Sequence, residues 1–240
     1  MSVTKYFTTT VKPFMTTTLM ESGAYADDDI LFDWTPFEIP RGTNRLVGAT
    51  ALVRGNNGVA QELPFDLIFA SRSSIGFGVE HATASMRANP YLLGVTGFKA
   101  ADYGQKSLDV MSIATARENR SNLCITGDHT FAGNSVRMGF DRVYVGGLAG
   151  GAFNFHSNVT LTANHGAGAS TVLTVETVDA RIVLAEGDVI QAHDGASIGT
   201  IKTVDSDTQI TLEAANQAAI EDGDRIYNRN PIHLILHFER

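Results

Sequence analysis

Hydrophobic positions along this chain alternate far more often than they recur every third or fourth residue. From Asn44 the segment RLVGATALVRG sets Leu46, Ala49, Ala51 and Val53 in a β-like alternation and runs into Asn56-Asn57-Gly58, a hairpin-type turn. The expected return strand spans Val59 to Ala70, with Leu63, Phe65, Leu67 and Phe69 on one face at period two. Upstream, Ile30 to Trp34 is apolar, and Pro36 and Pro40 bracket a short extended piece. Further short strands are predicted at Ile75 to Val79, Leu92 to Phe98, Asn122 to Thr126, Arg142 to Val145 and Ala152 to Phe155, each bounded by Gly, Asn or Asp. Gln105 to Asn119 fits a helix through Leu108 and Met111, or a strand through Leu108, Val110 and Ser112. Trp34, Phe37, Phe65, Phe69 and Phe77 are the expected aromatic core.

From Val159 the rhythm tightens into β-branched segments separated by Asp/Gly turns. Glu186-Gly187-Asp188-Val189-Ile190 returns as Glu221-Asp222-Gly223-Asp224-Arg225-Ile226, so two strands begin with the same acidic turn. About seventy residues of this texture predict a small barrel of SH3-like scale. Pro231 interrupts, and Ile232 to Phe238 is the most hydrophobic stretch of the chain. It reads as a strand completing the first domain's sheet, which makes the barrel an insertion; the alternative is that residues 231–240 are the barrel's own last strand. The expected fold is all-β, a jelly-roll-like β-sandwich (residues 1–158 plus 229–240) with a small inserted SH3-like β-barrel (159–228). The first twenty residues are Thr-rich, with Lys5 and Lys12 and no acid before Glu21; they read as an extended arm or edge strand that docks on something else, or as a frayed terminus.

Charge sharpens the two-part picture. Residues 159–228 hold 11 acidic and 3 basic side chains, leaving 15 of each sign elsewhere, so the whole net charge of −8 sits in the barrel segment. Such a module repels nucleic acid, whose phosphates demand Lys/Arg patches, and no basic cluster with interleaved aromatics occurs elsewhere. With 18% charged residues, below the usual quarter, the surface suits extensive contact with neighbours. No apolar run approaches the roughly 18 residues needed to span a membrane, and the N-terminus lacks a secretory pattern, so synthesis in the cytoplasm is expected. Cys124 is the single cysteine, which excludes an internal disulfide or a cysteine-based zinc site within one chain. The Asn-x-Ser/Thr matches at Asn119 and Asn158 carry weight only in a secreted protein.

Candidate chemistry is sparse. His233 and His237 share one face of the last strand, but no third ligand accompanies them and ordinary strand histidines are the favoured reading. Asp128, His129 and Ser135 could be assembled into a triad, yet no G-x-S-x-G elbow is present. The Gly-rich pieces Gly146 to Gly151 and His165 to Gly168 lack the P-loop lysine and read as turns and close backbone packing. Asp27-Asp28-Asp29 and Asp205-Ser206-Asp207 cluster hard oxygen ligands without matching a calcium loop, so solvated turns are favoured. No catalytic, cofactor-binding or metal residue is assigned.

The stretch ILFDWTPFEIPRGTNRLVGATALVRGNNG, followed by QELPFDLIFAS, resembles virion structural proteins of tailed phages, particularly marine ones. The resemblance lies in Glu38 to Gly42, Val53 to Gly58 and Asp66 to Ala70; it is firm over residues 30–80 and thinner to about 160. The barrel's Gly-Asp turns resemble modules of phage head and tail proteins. The resemblance implies a non-enzymatic protein that assembles by surface contact, without cofactor or catalytic residues, and does not decide between head and tail. The expected role is a homo-oligomer on the virion surface that decorates and stabilises the capsid exterior by gripping the major capsid protein. Trimers at capsid symmetry axes are the expected assembly. Lys5, Tyr6, Phe7, Lys12 and Phe14 are the expected capsid-docking arm. A tail or fibre-base attachment protein and a carbohydrate-binding or hydrolytic β-protein are the alternative classes.

Overall fold

A computed structural model describes residues 5–74, 76–85, 89–104, 110–116, 123–131, 134, 136–177 and 179–240. Strands take 47% of the chain and helices 6%, which makes it all-β, with sandwich-like sheets and a nearly closed, barrel-shaped sheet. In chain order the strands are β1 (Tyr6–Val11), β2 (Ile30–Pro40), β3 (Asn44–Arg54), β4 (Phe65–Ala70), β5 (Leu92–Phe98), β6 (Met111–Ala116), β7 (Leu123–Ile125) and β8 (Phe140–Ala149). Then follow β9 (Thr160–Leu161), β10 (Val172–Glu176), β11 (Val189–Ala192), β12 (Ser197–Val204), β13 (Gln209–Leu212), β14 (Ile226–Asn228) and β15 (Ile232–Glu239).

The first sheet has the order β1-β15-β3-β6, with β7 also pairing β3, and the second has the order β2-β8-β4-β5. All pairings are antiparallel. Their inner faces share one core: Leu46, Ala49, Ala51, Val53, Leu234, Leu236 and Phe238 from the first sheet meet Phe37, Ile39, Phe65, Leu67, Phe69, Val143 and Val145 from the second. Period-two alternation puts Phe65, Leu67 and Phe69 inward together. The expected hairpin between β3 and β4 does not form. Asn57 (φ 49°) and Gly58 (φ 83°) do make a tight turn closed by reciprocal Asn56–Val59 bonds of 2.8 Å, but the chain then crosses to the other sheet and β4 pairs β8 and β5.

Other expectations shift for local reasons. β8 runs through Gly146 and Gly147 to Ala149 because a Cβ at either glycine would meet the Phe77 or Phe32 ring at 2.6 or 2.3 Å. Phe77 is buried, but beneath half-buried Trp34 (centroids 4.7 Å apart) in a satellite cluster with Ile30 and Ile68, outside the main core. Residues 76–79 and 152–155 are not strands, although Phe153 and Phe155 are buried in the main core. Of the ambiguous segment 105–119, the part Met111–Ala116 is strand; residues 105–109 and 117–119 lie outside the described residues.

The third sheet, β14-β11-β12-β13-β10-β9, curls until its ends meet: Leu161 N–H donates to Asp224 and Ile226 N–H to Val159, both at 2.9 Å. Its interior is aliphatic, built from Val159, Leu161, Leu173, Val175, Ile190, Ile198, Ile201, Ile210, Leu212 and Ile226 among others. The repeated acidic turn is a repeated structure. Gly187 and Gly223 both take positive φ (81° and 86°), and Asp188 and Asp224 each accept from the N–H three residues earlier, Ala185 and Glu221, at 2.8 Å. A short helical turn, Ala180–Val183, which the sequence pattern did not signal, is capped by Asp179. β15 lies in the first sheet, between β1 and β3. Tyr227, within the span 159–228, is buried in the sandwich cluster rather than in the barrel's.

Candidate functional site: an exposed sheet face and a polar junction

Antiparallel pairing with β15 over six positions makes the N-terminal segment an edge strand of the chain's own sheet, not a detached arm. Alternation then divides its side chains. Phe7, Val11 and Met15 turn inward, with Phe7 stacked on Phe238 (centroids 5.1 Å) and Val11 and Met15 buried. Tyr6 (72% exposed), Lys12 and Phe14 (54% exposed) turn outward, and Lys5 is exposed at the strand's start. Below β1, Asn230 Nδ2 donates to the Pro13 carbonyl at 2.7 Å and the Arg229 guanidinium lies 4.1 Å over the Phe14 ring. Of the five expected docking residues, Lys5, Tyr6, Lys12 and Phe14 are therefore presented to solvent, whereas Phe7 is half-buried.

The same outer face continues across β15 and β3. The register sets Thr8 beside His237, Thr10 beside Ile235, and Leu52 beside His233. His237 Nε2 lies 3.3 Å from Thr50 Oγ1. Burial, with Lys12 and Arg54 nearby, pushes the His233 imidazole down to about 4, so it is neutral at physiological pH. At this face's rim Arg45 pairs with Glu239 of the same sheet, and Arg54 reaches across to Asp188 of the barrel. Among the described residues, no group of three or more His, Cys, Asp or Glu side chains could hold a metal ion.

The second concentration of polar groups joins sandwich to barrel. Arg54, at the end of β3, donates twice to the Asp188 carboxylate (2.7 and 3.0 Å), whose side chain is only 4% exposed and also accepts the Ala185 N–H. Burial raises the Asp188 carboxyl even though Arg54 opposes the shift. Alongside, Glu21 accepts from Arg225 at 2.5 Å and from the Tyr227 hydroxyl, with His156 4.0 Å away. Burial pushes Glu21 up, but the bonds from Tyr227 and Arg225 outweigh it and hold the carboxyl below its usual range. Glu21 lies in the last turn of the short helix Thr17–Ser22, whose start is fixed by Glu80: the Glu80 carboxylate accepts the Thr16 N–H (2.8 Å), the Thr16 hydroxyl (2.7 Å) and the Tyr25 hydroxyl (2.9 Å). Asn57, in the turn after β3, accepts the Asn158 N–H at 2.8 Å and donates to the His156 carbonyl.

The partly open cavity here, lined by Met20, Arg54, Phe155, His156, Leu184 and Tyr227, measures about 40 Å³. That is room for one or a few waters, against the roughly 300–1,000 Å³ of small-molecule sites. The cluster ties the sandwich to the barrel through paired charges.

The remaining candidates resolve into turns and braces. Asp128 is occupied by Arg72 (2.7 Å) and Thr130, while Arg72 stacks on Tyr91 and Phe131; Ser135 lies outside the described residues. Asp29 accepts the Ala26 N–H at 2.7 Å, and Asp205 accepts the Thr203 and Thr211 hydroxyls, each a turn-closing role. Glu21, Glu80 and the Arg54–Asp188 pair were not singled out from sequence. Their partners lie 55 to 206 residues away, so no local spacing marks them. Comparison with protein-family models, curated proteins and solved structures finds no match.

Proposed function

We propose that the chain is a structural protein of a tailed-phage particle that decorates and stabilises the capsid exterior, without catalysis, through non-covalent contacts with the major capsid protein. The observation that carries this reading is the division of the surface. A face whose acidic and basic rim residues Arg45 and Glu239 pair with each other presents Tyr6 and Phe14, with Lys5 and Lys12, to solvent, while the −8 barrel is bolted on through Arg54–Asp188. Aromatic side chains on a weakly charged face are the usual anchors of a protein interface. A solvated acidic module suits the outward side, away from packaged nucleic acid. Binding only the assembled shell stabilises it by RT ln(1 + [L]/Kd), about 2.7 kcal/mol per site at a hundredfold excess over Kd.

The test is co-sedimentation of the chain with undecorated capsids of the parent phage, with copies counted per particle. Saturation at hundreds of copies, together with at least a tenfold weaker affinity for Tyr6→Asp/Phe14→Asp at unchanged circular dichroism, is the expected result. Saturation at a dozen copies or fewer assigns the chain to the tail instead. No binding to any particle overturns the reading.

A further inference from the structure

Among the described residues, the lateral edge of β1 carries hydrogen-bonding capacity that no strand takes up. Lys5 and Arg240 exchange both backbone bonds (3.3 and 2.9 Å), which fixes the phase of the ladder. By antiparallel alternation Phe7, Thr9 and Val11 point their backbone groups at β15, and Tyr6, Thr8 and Thr10 point theirs away. Among the described residues no strand pairs β1 on that side. Edge strands are ordinarily blunted by charge, proline or a bulge. Here the three outward positions are uncharged, proline-free and β-favouring, with Lys5 and Lys12-Pro13 only at the ends.

We propose that this edge pairs with the β1 edge of a second copy, antiparallel about a two-fold axis at Thr8, so that the two first sheets become one continuous sheet. In this register Thr8 faces Thr8 of the second copy and Tyr6 faces Thr10, so every outward backbone group is used at once. Lys5 falls opposite Val11, which avoids a facing pair of lysines. The arrangement also solves the problem of bringing two acidic barrels together. Each barrel adjoins Ile232, beside the Val11 end of β1, and antiparallel pairing sends those ends in opposite directions. The two Val11 residues lie about six residues apart along the ladder, roughly 20 Å. That exceeds the screening length of about 8 Å at physiological salt. Pairing of identical edges closes on itself after two copies, so this contact yields dimers and cannot by itself yield the trimer expected from family resemblance. It does not depend on the capsid reading.

The test is sedimentation velocity of the untagged full chain from about 1 μM to about 1 mM. The wild type is expected to pass from monomer to dimer with rising concentration. Thr8→Pro removes an N–H that points away from β15 and is tolerated by the chain's own ladder, so it is expected to stay monomeric with an unchanged circular dichroism spectrum. Should that variant unfold, Thr8→Lys/Thr10→Lys keeps the backbone donors and sets like charges across the axis; loss of the dimer there supports the pairing. A wild type that is monomeric throughout, a trimer, or a dimer that survives in the folded variants overturns it.

Discussion

The sandwich and the barrel solve the same problem, burying one face of a sheet, with different materials. Between two sheets the sandwich stacks rings: Phe37 lies 6.2 Å from Phe69 and 6.3 Å from Phe238, and Phe65 packs on Phe98 and Phe153. The barrel's buried cluster contains no aromatic residue at all. Stacked sheets stand about 10 Å apart and are filled by side chains from both inner faces, here largely rings, whereas this small curled sheet is filled by aliphatic ones. The teaching is that core composition follows the curvature of the sheet. The polarity follows too, because a small curved body has little interior and much surface to cover with polar side chains, here mostly Asp and Glu.

The most severe break in this comparison is Phe65→Ala. Removing a fully buried ring that packs on Phe98 and Phe153 is expected to cost about 3–5 kcal/mol, against roughly 2–4 for Ile201→Ala in the barrel. Urea titrations followed by near-ultraviolet circular dichroism, which sees the sandwich's aromatics, should resolve the two. A shift of that sandwich transition by Ile201→Ala would mean that the bodies unfold as one unit.

Next in size is the repeated turn in its two settings. Asp188 and Asp224 close equivalent turns, but only Asp188 neutralises an arginine in a nearly dry site. Asp188→Ala strands Arg54 and is expected to cost about 3 kcal/mol, while Asp224→Ala, facing a half-exposed His193, should cost about 1 kcal/mol. Comparable thermal midpoints for the two variants would show that the junction contributes nothing beyond turn closure.

The smallest effect is a pH dependence on the sandwich side. His233 binds its proton less readily folded (about 4) than unfolded (about 6.5), so stability is lost as pH falls from 6.5 toward 4 and levels off below. The side chain is only partly buried, which discounts the full linkage value to about 1–2 kcal/mol. Stability of His233→Gln should vary less over that window; an identical profile would assign the acid sensitivity elsewhere.

Much of the fold was written in local pattern. β5 spans the predicted Leu92 to Phe98, the two Gly-Asp turns start β11 and β14, and Ile232 to Phe238 forms a strand with its leucines inward. Period two reports which face is buried, but it does not report the neighbour. Phe65, Leu67 and Phe69 alternated as expected while their partner strands proved to be β5 and β8. Trp34 failed for a related reason: a large ring on an edge strand can bury itself on either side of a sheet, and Phe77 beneath Gly146 offered the outer one. The face bearing Tyr6 and Phe14 was half legible, since lysines and aromatics marked the segment but not which of them point outward. The junction was illegible, because Glu21, Glu80, Arg54 and Asp188 are ordinary surface residues until folding brings distant segments together.

The placement of β15 has a mechanical consequence. The barrel leaves the sandwich through Val159 and returns through β14 into Ile232, the first residue of a strand laced to β3 at eight positions and to β1 at six. A tug on the barrel therefore draws β15 lengthwise, loading both ladders in shear so that their bonds must rupture together instead of unzipping in turn. Load on the acidic module is thus shared between two ladders of the first sheet.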